Sequence, residues 1–461
     1  MAGIGFQLRR LAQKPTYATQ AAAYVSAAVI SAGPWMISIT SLMLLTWLLH
    51  IQLPGDETTA HIRLFTATVT HVYAFALVLT GPLQILLCRY TADQYALGTP
   101  EKVFPSFRGG ILLTILLSAV VGGVFFLGLV PGPDWVFQAC SAALLVYVSC
   151  IFVMSVYLSV LREYTRIVFA FFVGYGVSVI CAWFLARTYQ ITGAMAGLVI
   201  GHLVLLALLT WNVKREIGKG SGSMFAFLKT AVRLPDLMLC GLFYNLGIWI
   251  DKFLFWWLSH SNLQVSGALY AAPDYDLAIY LSLLSIVPGM AVFILEVETN
   301  FAERFQAYFD AVNHGRPLDQ IAAAKQGIIL SLRNGFNRLL KVQGVTTALL
   351  VVAAGDMSSW FHVSHVQIGI FRITLFGSFL LMAYLAMLTV LFYFNDRFGA
   401  LFSTLMFLLA NGGLSLLTVL KNEAWYGFGF VVASGVGLLI AATRVNSRLR
   451  DLEYYTFTVH D

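Results

Sequence analysis

Runs of about twenty predominantly apolar residues constrain this chain more than any other feature, because a run that long matches the thickness of a bilayer's hydrocarbon core. The sequence holds twelve, at roughly 19–49, 66–88, 109–131, 135–160, 167–187, 191–212, 234–258, 273–297, 342–361, 368–393, 398–420 and 425–443. Apolar residues make up 59% of the chain and charged residues only 11%, against about 25% charged in a soluble globular protein. Too little charge remains to keep such a surface dispersed in water, so lipid is the solvent for most of the molecule. The expected fold is all-α, a polytopic membrane protein of about twelve transmembrane helices. The first run is too long for the apolar core of a signal peptide and is read as a helix.

Lys and Arg are retained in cytoplasmic loops, and this tests the map. With the N-terminus inside, 23 of the 28 basic residues fall in inside segments. The largest groups are Lys214, Arg215, Lys219, Lys229 and Arg233, and Arg304, Arg316, Lys325, Arg333, Arg338 and Lys341. Only Arg63, Arg187, Lys252, Arg372 and Lys421 fall outside or near it. Both termini are therefore expected in the cytoplasm. The net charge of +6 comes from these scattered clusters and not from one basic face or arm, which argues against nucleic acid as a partner.

The Gly/Ser-rich stretch Gly218-Lys219-Gly220-Ser221-Gly222-Ser223 reads as a flexible linker. It leaves six predicted helices on either side: an N-terminal lobe over 1–213, a cytoplasmic linker over 214–233 and a C-terminal lobe over 234–461. Gly33-Pro34 is expected to kink the first helix, since proline removes a backbone hydrogen bond and clashes with the preceding turn. Gly81-Pro82 in the second helix and Pro288-Gly289 in the eighth sit at similar depth. Corresponding helix breaks are one mark of transporter repeats. The segment 298–341 is amphipathic, with Phe301, Phe305, Tyr308, Phe309 and Val312, then Ile321, Ile328, Leu332, Phe336 and Leu339, at helical spacing. It either rests at the lipid headgroups or docks a cytoplasmic partner through its aromatic residues.

Motifs for catalysis are scarce. Gly218-Lys219-Gly220-Ser221 lacks the spacing and the hydroxyl of a phosphate-binding loop. Asp274-Tyr275-Asp276 has the D-x-D spacing of a glycosyltransferase metal site, but the map puts it on the outer face, away from sugar nucleotides. Cys88, Cys140, Cys150, Cys181 and Cys240 lie in or at the ends of apolar runs without metal-ligand spacing, and read as small hydrophobes. No metal, cofactor or disulfide is expected, and no enzymatic activity. Polar groups inside helices carry more information, since each is costly in lipid unless it faces a cavity or a partner. The seventh helix holds Asn245, Asp251 and Lys252, and the eighth begins with Asp274 and Asp276. Asn245 and Lys252 share a helical face, while the adjacent Asp251 and Lys252 point different ways. These residues form either a polar mouth that binds substrate or a coupling cation, or a snorkelling Lys252 above Trp256 and Trp257 with capping aspartates. His71 and His202 either line a cavity or pack with a hydrogen bond.

Met1-Ala2-Gly3-Ile4-Gly5-Phe6, Leu8-Arg9 and Ser31-Ala32-Gly33-Pro34-Trp35 together resemble the opening of the PelG family, the inner-membrane component of the bacterial Pel exopolysaccharide system. Tyr244-Asn245, Asp251-Lys252, Pro288-Gly289, Glu298, Tyr308-Phe309 and Tyr454-Tyr455-Thr456-Phe457 are similar to that family as well. The resemblance runs the full length. It implies a twelve-helix exporter of two six-helix lobes, related to polysaccharide flippases and the multidrug/oligosaccharidyl-lipid/polysaccharide (MOP) group. It further implies an amino-sugar polymer as substrate, a role in biofilm matrix, and a multi-pass location in the inner membrane. The implied partners are a cytoplasmic Pel glycosyltransferase and further Pel membrane proteins, including a cyclic-di-GMP receptor. The competing readings are a scaffold that anchors the synthase and a membrane-embedded transferase.

Overall fold

A computed structural model describes residues 17–52, 58–160, 164–218, 220–356 and 363–458. The opening motif Met1 to Phe6 with Leu8 and Arg9, the basic residues Arg10, Lys14, Arg162 and Lys219, and the end of the ninth predicted span lie outside the described residues. The helices are α1 (Tyr17–Gln52), α2 (Thr58–Ala96), α3 (Val103–Gly122), α4 (Trp135–Val160), α5 (Tyr164–Ile217), α6 (Phe227–Arg233) and α7 (Pro235–Leu258). After a short antiparallel hairpin of β1 (Leu263–Ser266) and β2 (Leu269–Ala271) come α8 (Pro273–Leu284), α9 (Val287–Leu295), α10 (Ala302–Asn313) and α11 (Leu318–Ala353). The chain ends with α12 (His365–Tyr393), α13 (Arg397–Val419), α14 (Phe428–Arg450) and α15 (Leu452–Thr458).

Among the described residues, ten helical segments are long and apolar enough to cross a membrane. Large apolar side chains stand exposed along them, including Val120, Phe169, Phe172, Phe184, Trp211 and Leu439. Exposure on that scale is stable only against lipid. The protein is a multi-pass membrane protein.

Two stretches account for the difference between ten segments and twelve predicted spans. The first is α5, in which the predicted spans 167–187 and 191–212 are both present as helices that follow one another across a kink and count as one segment. Its backbone leaves helical geometry at Tyr189 and Gln190, where Gln190 adopts φ +48°. The two halves then fold back on each other. A Cβ on Gly193 would meet Leu185 O at 2.2 Å, one on Gly197 would meet Ala182 N at 2.2 Å, and one on Gly201 would meet Ser178 Oγ at 2.0 Å. Glycines four apart thus form a seam along which two backbones touch, the usual way helices pack when lipid leaves no hydrophobic drive between them. The second is α11, which joins the amphipathic stretch from Leu318 to the apolar run starting at 342 without a break. It is not one of the ten.

The eighth predicted span, 273–297, is interrupted. α8 ends at Leu284, and α9 starts at Val287 with Pro288 in its first turn. Proline has no N–H to donate to the carbonyl four residues back, so the helix cannot continue through that turn unchanged. Ser285 and Ile286 instead donate to Ser282 O and Leu283 O, closing the break with tighter turns. A π-type turn over Glu296–Phe301 then leads into α10. Pro34 and Pro82 sit inside α1 and α2.

The described residues divide into two compact units. The first holds Gly33–Trp249 and Phe255–Ala272. Its apolar core gathers Phe65, Val72, Phe126, Leu144 and Leu198 in one cluster, and Leu86, Val103, Tyr157, Leu209 and Phe227 in another. The β-hairpin belongs to it, with Ala268 N donating to Leu129 O at 3.0 Å. Gly267, at φ +53°, lies so close to Leu129 O and Pro131 that a side chain would not fit. The second unit holds the described residues up to Ala32, Ile250–Leu254, and those from Pro273 onward. Tyr384, Phe407, Phe430 and Ala441 are buried on its helices α12, α13 and α14, and Ala27 packs with Ala291 and Leu295.

The α5 seam gives a direct test of this packing. Gly197→Val places a branched side chain against backbone and is expected to cost about 1–3 kcal/mol, the range for overpacking, read as a lower melting temperature in detergent. Gly176→Ala, where a Cβ meets nothing within 4 Å, serves as the control and is expected to melt like the parent.

Candidate functional site

Helix α7 places Asp251 and Lys252 about two turns before its end at Leu258. Both belong to the second unit and both are buried, Asp251 at 0% and Lys252 at 4% exposure. Neighbours in a helix point in different directions, yet the four-carbon lysine stem curls back far enough to close the pair. Lys252 Nζ donates to Asp251 Oδ1 at 3.2 Å and Oδ2 at 3.3 Å. The ammonium also lies 5.5 Å from the ring centroid of Phe430 on α14. Lys252 therefore points inward and does not snorkel.

The third member of the group is Tyr275, which the sequence reading passed over in favour of the aspartates on either side of it. Its hydroxyl donates to Asp251 Oδ2 at 2.6 Å from a fully buried ring on the first turn of α8. Asp274 and Asp276 are only partly buried in the same turn. The alternation explains why. Three consecutive residues at the start of a helix fan over about 200°, so when Tyr275 faces the core its two neighbours cannot. A buried tyrosine in an apolar helix gives no sequence signal beyond its flanking acids.

Taking two charges from water costs several kcal/mol each, and a well-packed apolar replacement is often as stable or more so. The Asp251–Lys252–Tyr275 group is satisfied internally, and it offers a buried carboxylate whose partner is a cation.

The other polar residues singled out by sequence lie in the first unit. Asn245 Nδ2 donates to Gly241 O at 2.9 Å, and its side chain sits over Gly81, where a Cβ would be 2.5 Å away. His71 stacks on Trp256, 4.0 Å between centroids, with Nδ1 bonded to Ala67 O at 2.9 Å. His202 uses Nδ1 on Leu198 O at 2.8 Å and meets Tyr73 Oη at 3.3 Å through Nε2. Both histidines are buried. The aromatic residues of the amphipathic segment lie in the second unit and turn inward. Phe301 and Tyr308 are buried, while Phe305 and Phe309 are half-buried. Phe301 and Phe305 pack on Tyr393 and Phe394. Tyr308 Oη and Thr456 Oγ1 approach to 3.4 Å, which brings Tyr308-Phe309 and Tyr454 to Phe457 into one cluster.

A further ion cluster lies outside the spans. Asp396, between α12 and α13, is buried and accepts from Arg444 Nε at 3.0 Å, Arg444 Nη2 at 2.9 Å, Arg448 Nη2 at 2.9 Å and Gly399 N at 3.2 Å. Burial pushes its pKa up, but the hydrogen bonds from Arg448 and then Arg444 outweigh that and hold the carboxyl below its usual value. Arg448 in turn lies over the Tyr455 ring, 3.9 Å from its centroid. Nearby, Lys325 donates to Arg450 O at 3.0 Å and pairs with Glu453. Burial raises the Glu453 pKa and the Lys325 hydrogen bond lowers it, with a net decrease.

Solved transporter structures share this architecture. A MATE-family multidrug resistance transporter of the MOP superfamily, in an outward-facing conformation, superposes with a TM-score of 0.63 at 15% identity, covering 92% of this chain and 96% of that one. A MOP superfamily transporter from Pyrococcus furiosus gives 0.61 at 15% identity, with 92% and 96% covered. A MATE protein in a bent conformation gives 0.61 at 15% identity, with 94% and 97% covered. At that identity the likeness is one of fold, and the fold is the MATE/MOP transporter fold. No curated protein matches the chain by sequence. The family model of PelG, described as "Putative exopolysaccharide Exporter (EPS-E)", matches residues 1–457. The chain belongs to the PelG family.

Two outcomes follow from these geometries. Because its folded pKa lies below its unfolded one, Asp396 stabilises the fold above the unfolded carboxyl value of about 3.9, and this is lost as pH falls through the folded pKa. Asp396→Asn is expected to lower stability at neutral pH by about 1–3 kcal/mol, by leaving two partly exposed arginines without their anion, and to flatten the acid limb of melting temperature against pH. Tyr275→Phe removes one donor from a buried carboxylate and is expected to cost about 1–3 kcal/mol, again read by melting in detergent.

Proposed function

We propose that this chain exports a Pel-type, amino-sugar-rich exopolysaccharide across the bacterial inner membrane. The observation that carries this reading is the buried Asp251–Lys252–Tyr275 group within a transporter fold of an exopolysaccharide exporter family. Buried charge in a lipid-embedded bundle marks a working site far more often than a structural one. An amino-sugar polymer that is partly cationic has the chemistry to engage carboxylates, and Asp274 and Asp276 extend the acidic surface beside Tyr275.

In this reading the chain is a transporter and not an enzyme. It is organised as two six-helix lobes about the 214–233 linker, with both termini in the cytoplasm. Asp251, Lys252, Asp274 and Asp276 lie toward the outer side, and Asn245, His71 and His202 contribute to the substrate path. Pro34, Pro82 and Pro288 supply the helix irregularities on which rearrangement turns. A cytoplasmic Pel glycosyltransferase hands polymer to the inner side, together with further Pel membrane proteins that include a cyclic-di-GMP receptor, and the product serves biofilm matrix. The synthase meets the segment 298–341, with Phe301, Phe305, Tyr308 and Phe309 holding it against its own unit. Its exposed residues Glu303, Arg304 and Asp310 are the ones presented to the partner.

Vesicles carrying this chain, with the synthase and sugar nucleotide supplied outside, test export directly. Polymer is expected in the lumen, protected from added glycosidase. Polymer found only outside would instead make the chain a scaffold. In cells, Asp251→Ala with Asp274→Ala is expected to lower secretion at least about tenfold at normal protein abundance. Secretion at the parental level would remove those residues from the path.

A further inference from the structure

Within the first unit, the corner between α2 and α3 and the Gly/Ser-rich linker before α6 enclose a cavity of about 300 Å³. Tyr90 and Gln94 line it from the end of α2, Lys102 from the corner, and Gly222, Ser223 and Ala226 from the linker. The linker is held there by its backbone. Ser221 N donates to Glu101 O at 3.1 Å, and Gly220 lies so close that a Cβ would stand 2.1 Å from the same oxygen. Gly222 adopts φ +133°, a conformation that L side chains rarely enter, and a Cβ there would face Lys102 Cγ at 3.7 Å. Glycine in this stretch therefore serves close approach and an unusual turn, which a merely flexible linker does not need.

The polar groups of this lining are chiefly donors. Tyr90 and Gln94 are 4% and 9% exposed, so each brings a polar head to a wall that is otherwise dry. The Thr99 hydroxyl donates to Gln94 Oε1 at 2.8 Å, which leaves Nε2, a donor, as the amide's remaining polar atom. The hydroxyls of Tyr90 and Ser223 can each donate, and Lys102 brings an ammonium with its full positive charge. None of the six lining residues is acidic. Glu101, next to Lys102, is exposed and does not line the space. Donors and one cation without a carboxylate favour an anion as guest. A phosphate group suits them better than a carboxylate does, because its three outward oxygens can accept from several directions at once. The volume stands at the lower end of small-molecule sites, about 300–1,000 Å³. It suits a group of nucleotide or headgroup size and not a sugar polymer.

We propose that this cavity binds a phosphate-bearing anion, with Lys102 supplying the charge and Tyr90, Gln94 and Ser223 the directed hydrogen bonds. The phosphate belongs either to a soluble molecule, such as the nucleoside diphosphate that glycosyl transfer from a sugar nucleotide releases, or to the headgroup of an anionic lipid. The lining offers the same chemistry to both. A bound anion touches the linker and the α2–α3 corner together, and so stabilises the docked position of residues 220–226. The site binds and does not hydrolyse, since Gly218-Lys219-Gly220-Ser221 lacks the spacing of a phosphate-binding loop. It shares no residue with the Asp251–Lys252–Tyr275 group and does not rest on the export reading.

Two probes test the site on the full-length protein in neutral detergent. Radiolabelled uridine diphosphate is titrated by equilibrium dialysis, with inorganic phosphate as competitor. Phosphatidylglycerol, against phosphatidylcholine, is counted by native mass spectrometry. Saturable binding of at least one probe is expected. Lys102→Glu is expected to weaken it at least about tenfold, and Tyr90→Phe about threefold to tenfold. Lys229→Glu, which changes a basic residue of α6 outside the lining, is expected to leave it unchanged. Lys102 and Lys229 are both exposed, so their variants are expected to melt like the parent without ligand; if Lys102→Glu melts lower, Lys102→Gln carries the comparison. Binding of uridine diphosphate alone upholds the site with a soluble ligand, and retention of phosphatidylglycerol alone upholds it with a lipid headgroup. A wild type that binds neither probe overturns the proposal. Binding that survives both Lys102→Glu and Tyr90→Phe, or that Lys229→Glu lowers equally, overturns it as well.

Discussion

A carboxylate taken out of water must find its counter-charge within hydrogen-bonding reach, and the second unit meets that demand three times. Three of its carboxylates are almost wholly removed from water: Asp251, Glu296 and Asp396. Each has a cation at 2.6 to 3.2 Å, and each draws a different pair of elements together. Asp251 joins α7 to α8, Glu296 joins the π-type turn to α11, and Asp396 joins the α12–α13 corner to α14. None of these pairs is an efficient source of stability, because desolvation consumes much of the attraction. What each pair does fix is which elements meet at that point of the unit.

The first unit meets the same solvent by another route. Lipid tails are as apolar as leucine, so its helices gain little from hiding hydrocarbon and instead gain from close backbone approach. The glycine seam within α5 is one case. Gly81 and Gly241 are another, where a Cβ on either would fall within 3 Å of the opposite carbonyl. Asn245 sits beside this crossing with its amide bonded to its own helix, and the buried rings of His71 and His202 are tied to carbonyls one turn back.

Hydropathy alone was enough to read the membrane setting and most helix positions, since each apolar run is long and each break is marked by charge or by glycine and proline. The boundary read between 187 and 191 falls where the backbone turns at Tyr189 and Gln190, so the two helices there were legible as well. At the candidate site, sequence singled out Asp251, Lys252, Asp274 and Asp276 as charges in an apolar context. It missed Tyr275, whose importance comes from which way the first turn of α8 faces. Glu296 and Asp396 were also missed, for each sits at a helix irregularity or corner where an acid looks like ordinary surface. The aromatic residues of 298–341 show the reverse case. Helical spacing revealed the amphipathic face but not that Tyr393, Phe394 and Thr456 of the same unit lie against it.

The central claim is that the buried pair on α7 is kept for export and not for folding. Replacing both charges at once, Asp251→Leu with Lys252→Met, separates the two, because an apolar pair of similar volume is often as stable as the ions it replaces. Protein level, melting temperature and secreted polymer would be measured together. The account predicts a double variant that inserts and melts like the parent but exports no polymer. A variant equally stable and exporting at the parental rate would contradict it.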